Sequence, residues 1–433
     1  MERLHAAARR RSRFFWFGVL ALLLYRGSAF GSTLESGSEV AEVVIQIASP
    51  RSGATIRNRD KLVAIRGSAR SGAQEPFEFD VMIAIDVSRS TRFPSGIDVD
   101  RDGEIGFNPH QELIAPGTFP QEVVCSDPQD SILSAEIAAA RMLVDSLSSE
   151  HSRVGVLTFS GEVDLESGKR KSPDQRDANL RIPLTGDFVS VRRVLDAIRA
   201  EGSHGATNFA AAIQLAVVEL AGLAGASSVE RPGARRVLQF LTDGIPSFPF
   251  GRGDMADPED SEAAIAAARL AHKAGLTINS FALGGRALES PYAITEIARL
   301  TGGAYTPVRN PGEILAFLSS VSFANIEAVA ITNLTTGEIS RDVHVAPDGS
   351  FSSYVPVDPG RNELQIAVLA SDGGESTILF DVNFEQTALT ENELSIELER
   401  LRKRNKERLL LLERKRIRAF RELRKGVITL EQD

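Results

Sequence analysis

Phe79-Asp-Val-Met-Ile-Ala-Ile-Asp86-Val-Ser88-Arg-Ser90 decides the fold of this chain. Apart from Asp80, residues 79–85 are continuously apolar, which marks a strand covered on both faces rather than one that alternates between core and water. At its carboxyl end come three hard oxygen donors, Asp86, Ser88 and Ser90, within five residues. A tight loop leaving a strand end can aim several such oxygens at one point.

The pattern repeats downstream. Ser131 to Leu147 carries a helical stripe (Ile132, Ala135, Ala139, Leu143, Leu147), and Arg153 to Phe159 reads as the next buried strand. Helices are expected over 189–198, 209–220, 261–274 and 293–300, with strands at 236–241, 276–283 and 304–308. Buried strands joined by helical crossovers predict a doubly wound, mostly parallel α/β sheet over residues 76–322, with ligands bound beyond the carboxyl ends of the strands. Two further donors fall at such positions. Thr207 opens a helix, and Asp243 ends the strand Arg236–Leu241. Taken singly, Asp86 or Asp243 reads equally well as a cap or turn residue. Together, Asp86, Ser88, Ser90, Thr207 and Asp243 suit magnesium or manganese, which takes about six oxygens and keeps part of its water shell.

Residues 78–320 resemble a von Willebrand factor type A domain. The metal-ion-dependent adhesion site of that family has the signature DxSxS, a distant Thr and a distant Asp. All five positions are filled here, in Asp86-Val-Ser88-Arg-Ser90, Gly205-Ala-Thr207-Asn and Phe240-Leu-Thr-Asp243-Gly. Arg153-Val-Gly-Val156, Pro183-Leu-Thr185 and Gly302-Gly-Ala-Tyr305 also match. Ala206 stands where the family usually has glycine. The resemblance implies direct ligation by Ser88 and Ser90, ligation by Thr207 in the engaged state, and contacts by Asp86 and Asp243 made directly or through water. It leaves one position for an Asp or Glu carboxylate of a protein partner.

Asp98-Val-Asp100-Arg-Asp102-Gly-Glu104 matches the first half of a calcium loop. Position 12, normally a bidentate glutamate, is Pro109, so this is no EF-hand. Asp98, Asp100 and Asp102, with the carbonyl of Glu104 and a carboxylate from elsewhere, form a calcium site, or else the segment is a solvated acidic loop. It lies in an insertion, residues 91–130, beside the first site.

The flanks are of another kind. Val43–Ile47 and Leu62–Arg66 read as short strands, and strands with glycine turns resume from Ile326 to Phe384. The run Asp348-Gly-Ser-Phe351…Tyr354-Val-Pro-Val357…Pro359-Gly-Arg-Asn362 resembles bacterial immunoglobulin-like modules. Two strands cannot make a core. Residues 38–72 and 326–385 are therefore expected to form one split, all-β immunoglobulin-like sandwich with the α/β domain inserted in it. The competing arrangement is a linker followed by an adjacent, separate sandwich.

At 433 residues the chain has room for these domains, and its net charge of −9 argues against nucleic acid as a partner. A single cysteine, Cys125, excludes an internal disulfide. Arg9, Arg10, Arg11 and Arg13 precede the apolar run Phe14–Leu24, with small residues to Gly31. Residues 1–31 thus suit a signal peptide, or an N-terminal anchor, and the chain is expected to be exported to periplasm, cell surface or medium. Residues 387–425 form a charged helical pattern with thirteen basic and four acidic residues between Glu399 and Lys425. That helix suits self-association, contact with an anionic surface, or packing on its own domain. Arg252-Gly-Asp254 sits in an acidic loop and is taken as a chance tripeptide. No nucleophile elbow, phosphate loop or dinucleotide fingerprint occurs, and no histidine is placed to activate Ser88 or Ser90. The sequence therefore predicts a metal-dependent binding module, not an enzyme. The alternative is an accessory or scaffolding subunit of a cell-envelope enzyme or secretion complex.

Overall fold

The computed structural model describes residues 43–71, 78–112, 118–164, 166–167, 169–253, 255–318, 322–371, 373–387, 395, 398–406 and 408–409. The N-terminal segment 1–31 and most of the 387–425 tail lie outside them. The tail residues that are described are helical and exposed. Among the described residues no helix is long and apolar enough to cross a membrane.

The described residues build a mixed α/β structure with one largely parallel sheet and two largely antiparallel ones. The parallel sheet has six strands in the order β6 (Ala178–Thr185), β5 (Ser152–Phe159), β4 (Phe79–Asp86), β7 (Arg235–Thr242), β8 (Leu276–Leu283), β9 (Tyr305–Val308). All neighbours run parallel except the edge pair β5–β6. The charged segment before Ala178 leads into that edge strand. The strand's residues do alternate, Ala178-Asn-Leu-Arg-Ile182, but Pro183 lacks the N–H of a strand ladder and argues against a strand there. Every residue of β4 is buried, Asp80 included. Helix α1 (Ile132–Ser146) covers one face of the sheet with α2 (Phe188–Glu201). The other face is covered by α3 (Phe209–Leu220), α4 (Pro258–Lys273) and α6 (Tyr292–Thr301), after the short α5 (Gly284–Glu289).

The other two sheets pack face to face. One has the order β1 (Val43–Ser49), β3 (Leu62–Ser71), β13 (Ser350–Pro356), β12 (Arg341–Val345). The other runs β11 (Glu338–Ile339), β10 (Ile326–Asn333), β14 (Gly360–Ala370), β15 (Glu375–Gln386), β2 (Ala54–Asn58). Strands from before and after the parallel sheet are thus interleaved: β3 pairs with β13, and β2 with β15. The leading segment carries three strands, one more than its spacing suggested, because Ala54–Asn58 is too short and polar to signal itself. Gly67 in β3 is required by packing, since a Cβ there would lie 2.4 Å from the Phe351 ring.

The chain leaves and re-enters these sheets side by side, with Ser71 N donating to Ala324 O at 3.2 Å. That closeness lets an insertion be accommodated. The joint is built at the amino ends of the parallel strands. Phe79 packs on Phe323 with ring centroids 5.1 Å apart, and Arg235 donates to Phe323 O at 2.9 Å. Buried Asp348 accepts from Ser148 N at 2.9 Å, Ser152 Oγ at 3.0 Å and Ser350 N at 3.0 Å. Asp348→Ala orphans these donors. It should lower the unfolding free energy by about 3 kcal/mol, measured by urea titration, and an unchanged midpoint would show that the joint does not depend on this carboxylate.

Candidate functional site

The five donors predicted from the sequence meet at the carboxyl edge of the sheet. Parallel registry places Ile85 beside Leu241, so Asp86 and Thr242 end adjacent strands. Thr242 Oγ1 donates to Asp86 Oδ2 at 2.5 Å, and Ser88 N donates to Asp86 Oδ1 at 2.8 Å. The chain then makes a 3-10 turn, Arg89–Arg92. Ser90 Oγ donates to Asp243 Oδ1 at 2.8 Å and lies 3.2 Å from Ser88 Oγ. Thr207 arrives from α3: a Cβ placed on Gly244 would lie 2.9 Å from Thr207 Oγ1 and 3.4 Å from Asp86 Oδ2.

The Thr207 loop is held from three sides. Arg89 N donates to Gly205 O at 3.0 Å, His204 N to Val87 O at 2.6 Å, and Ala206 N to Gly161 O at 2.7 Å. Asn208 caps α3 by accepting from Ala211 N at 3.0 Å and donates from Nδ2 to Asp177 at 2.9 Å. Gly205 has φ +78°, and a Cβ there would meet Gly161 O at 2.5 Å, so the turn needs glycine. Beneath it Phe209, Phe159 and Phe240 form an aromatic cluster with centroids 5.0–6.2 Å apart.

Above these residues opens a crevice of about 420 Å³ whose lining includes Ser88, Ser90 and Thr207, with Arg89, Arg252 and Arg286 around it. The two carboxylates beneath are buried, Asp86 at 0% exposure and Asp243 at 4%. Burial pushes both carboxyls well above their ordinary range, and for Asp243 the neighbouring charge of Asp86 adds to the rise. Asp86 accepts from a hydroxyl and a backbone amide, Asp243 accepts from the Ser90 hydroxyl, and the Arg286 charge partly offsets the rise at Asp243.

The second predicted loop also folds into a cluster. Gly103 N donates to Asp98 Oδ2 at 2.9 Å, Asp102 N to Asp100 Oδ1 at 3.2 Å, and Glu104 N to Asp102 Oδ1 at 2.8 Å. Two carboxylates not singled out in the sequence join it. Oxygens of Asp98, Asp100 and Asp130 lie within 4.8 Å of one another, as do those of Asp100, Asp102 and Asp127. Asp130 is buried and accepts from Val99 N at 2.6 Å and Gly106 N at 2.8 Å. The Glu104 carboxylate takes no part in either group of oxygens. No sequence spacing marks Asp127 or Asp130, because they sit at the far end of the 91–130 insertion.

No protein-family model matches this chain, and no curated protein matches its sequence. Among solved structures, an aerotolerance-related membrane protein from Bacteroides fragilis NCTC 9343 aligns at 19% identity and TM-score 0.34, covering 55% of this chain and 96% of that one. The pilus adhesin SpaC from Lactobacillus rhamnosus GG aligns at 10% identity and TM-score 0.41, over 82% of this chain and 50% of that one. The PilB minor pilin from Streptococcus sanguinis aligns at 10% identity and TM-score 0.38, covering 64% and 76%.

The raised carboxyls fix the sign of a pH effect in ion-free protein. A carboxyl that holds its proton more tightly when folded stabilises the fold at low pH, and this contribution is lost as pH rises through the raised value. Ion-free protein should therefore melt at lower temperature as pH climbs from about 4 towards neutrality. The slope should flatten in an Asp86→Asn, Asp243→Asn double variant, as read by thermal melts across pH in chelator.

Proposed function

We propose that this chain is an exported binding module of the von Willebrand A type. It takes an Asp or Glu carboxylate of a protein partner on a magnesium or manganese ion held by Asp86, Ser88, Ser90, Thr207 and Asp243, and an immunoglobulin-like sandwich carries the α/β domain. The observation that carries this reading is the convergence of two buried carboxylates and three hydroxyls, from three separate segments, at the floor of one crevice. Such a donor set suits a small hard cation, which neutralises the carboxylates without filling every coordination position from the protein. Binding rather than turnover is the reading taken: the described lining holds Asp164 and Glu166 but no histidine, lysine or cysteine. Export rests on the N-terminal sequence pattern alone.

Isothermal titration of the full chain with Mn2+ tests the reading. Wild type should take up one ion at the crevice, and Asp243→Ala should weaken that uptake about a hundredfold or more. Folded wild-type protein that takes up neither Mn2+ nor Mg2+ would end it.

A calcium ion at Asp98, Asp100 and Asp102, with the Glu104 carbonyl and the Asp130 carboxylate, is the second part of the proposal. Buried Oδ1 of Asp98 has no hydrogen-bond partner and lies in the same cluster as Asp130. Ca2+ added to protein already saturated with Mg2+ should raise the melting temperature, and Asp98→Asn should cancel the rise. A calcium response that survives in Asp98→Asn would place the ion elsewhere.

A further inference from the structure

Glu136 is a buried carboxylate that nothing described so far employs. It lies in the second turn of α1, is fully buried, and neither of its carboxylate oxygens has a hydrogen-bond partner. The contrast is Glu219, also buried, which accepts from Ser227 N at 3.0 Å, Ser228 N at 2.8 Å and Ser228 Oγ at 2.6 Å. An internal carboxylate with nothing to accept from is costly, and such groups call for an ion, a water or a reactive role.

Its position narrows the choice. Ile132 N donates to Phe93 O at 2.8 Å, and Ser131 bridges to Pro94, so the first turns of α1 lie against the segment that carries Ser90. The same helix packs on β4, the strand ending in Asp86. Asp86 and Asp243 are the charged groups that act electrostatically on Glu136, and both oppose its ionisation. Three carboxylates thus share one dehydrated region behind the crevice floor.

We propose that Glu136 is a third carboxylate of the crevice's cation site, a positioning residue that acts through Asp86 and Asp243 and sets how tightly a divalent ion is held. This rests on the cation reading given above. A cation in the crevice favours the ionised form of Glu136, and a negative charge in a dry layer attracts the ion in proportion to the ion's charge and is weakly screened there. The device therefore favours divalent over monovalent cations. The three hydroxyl donors, being neutral, cannot supply that preference.

Mn2+ titration of the Glu136 variants, with no partner present, tests this. Glu136→Gln keeps the shape and removes the charge, and should weaken binding about tenfold. Glu136→Asp should keep most of the affinity and Glu136→Ala should not. If the Gln variant does not fold, the Asp and Ala variants decide the matter between them. A Gln variant that melts lower but binds Mn2+ as tightly as wild type would show that the residue is merely structural. Wild-type protein that binds no Mn2+ would sink the cation reading itself, whereas equal binding by wild type and all three variants would sink this inference alone.

Discussion

The parallel registry of β4 with β7 is the constraint on which the rest depends. It sets Asp86 beside Thr242, which puts Asp243 one residue past the same edge. The crossover helices then separate: α1, following β4, lies on one face of the sheet, and α3, preceding β7, on the other. A sheet whose connections depart to opposite faces leaves a gap between the two strand ends, and loops from both sides close over it. Ser88 and Ser90 line that gap from the β4 side and Thr207 from the α3 side. Shifting the registry by one residue would invert every side chain of β7 and take Thr242 off Asp86.

β4 carries a second buried aspartate, and the comparison shows what is unusual about the first. Asp80 lies at the amino end of the strand and accepts from Arg153 at 2.8 and 2.6 Å and from Arg231 at 2.9 Å. Its charge is met by two guanidiniums, the ordinary solution for a buried carboxylate. Asp86, on the same strand, is met by a threonine hydroxyl and a backbone amide. Hydroxyls and amides stabilise a carboxylate but do not neutralise it. Asp243 near by accepts from the Ser90 hydroxyl, and both oxygens of Glu136 lack a hydrogen-bond partner, so this end gathers carboxylates without the paired guanidiniums that meet Asp80. The amino end of this sheet is built for stability, and the carboxyl end is built at stability's expense.

What could be read from the sequence follows from range. The strand Phe79–Ile85, the helices and the five oxygen donors announce themselves through local periodicity or through residue types at strand ends. β6 and β2 do not: both alternate, but β6 is interrupted by Pro183, and β2 has only five residues with Ala54 and Ile56 its only apolar ones. Asp127 and Asp130 were missed for a different reason. Their role arises only when the 91–130 insertion folds back on itself, bringing Asp130 to the backbone amides of Val99 and Gly106. Glu136 was hidden by its helix: one acidic residue in an otherwise apolar stripe reads as a solvent-facing position until burial is known. The sequence lost track of residues whose meaning depends on contacts across the fold.

The placement of the two antiparallel sheets bears on how the crevice is presented. Their contacts involve Phe79, Ser148, Ser152 and Arg235, all at or beside the amino ends of parallel strands. The crevice opens at the carboxyl ends, about 23 Å away along a strand of eight residues. The joint and the crevice therefore do not compete for surface. A double covalent connection, with both crossings adjacent, also limits rotation more than a single linker does, because two fixed points define an axis. Under the proposed function, a partner approaching the crevice would meet a domain whose base is already held. Less orientational freedom is then lost on binding, and that saving is the physical reason a split support suits a binding surface better than a tethered one.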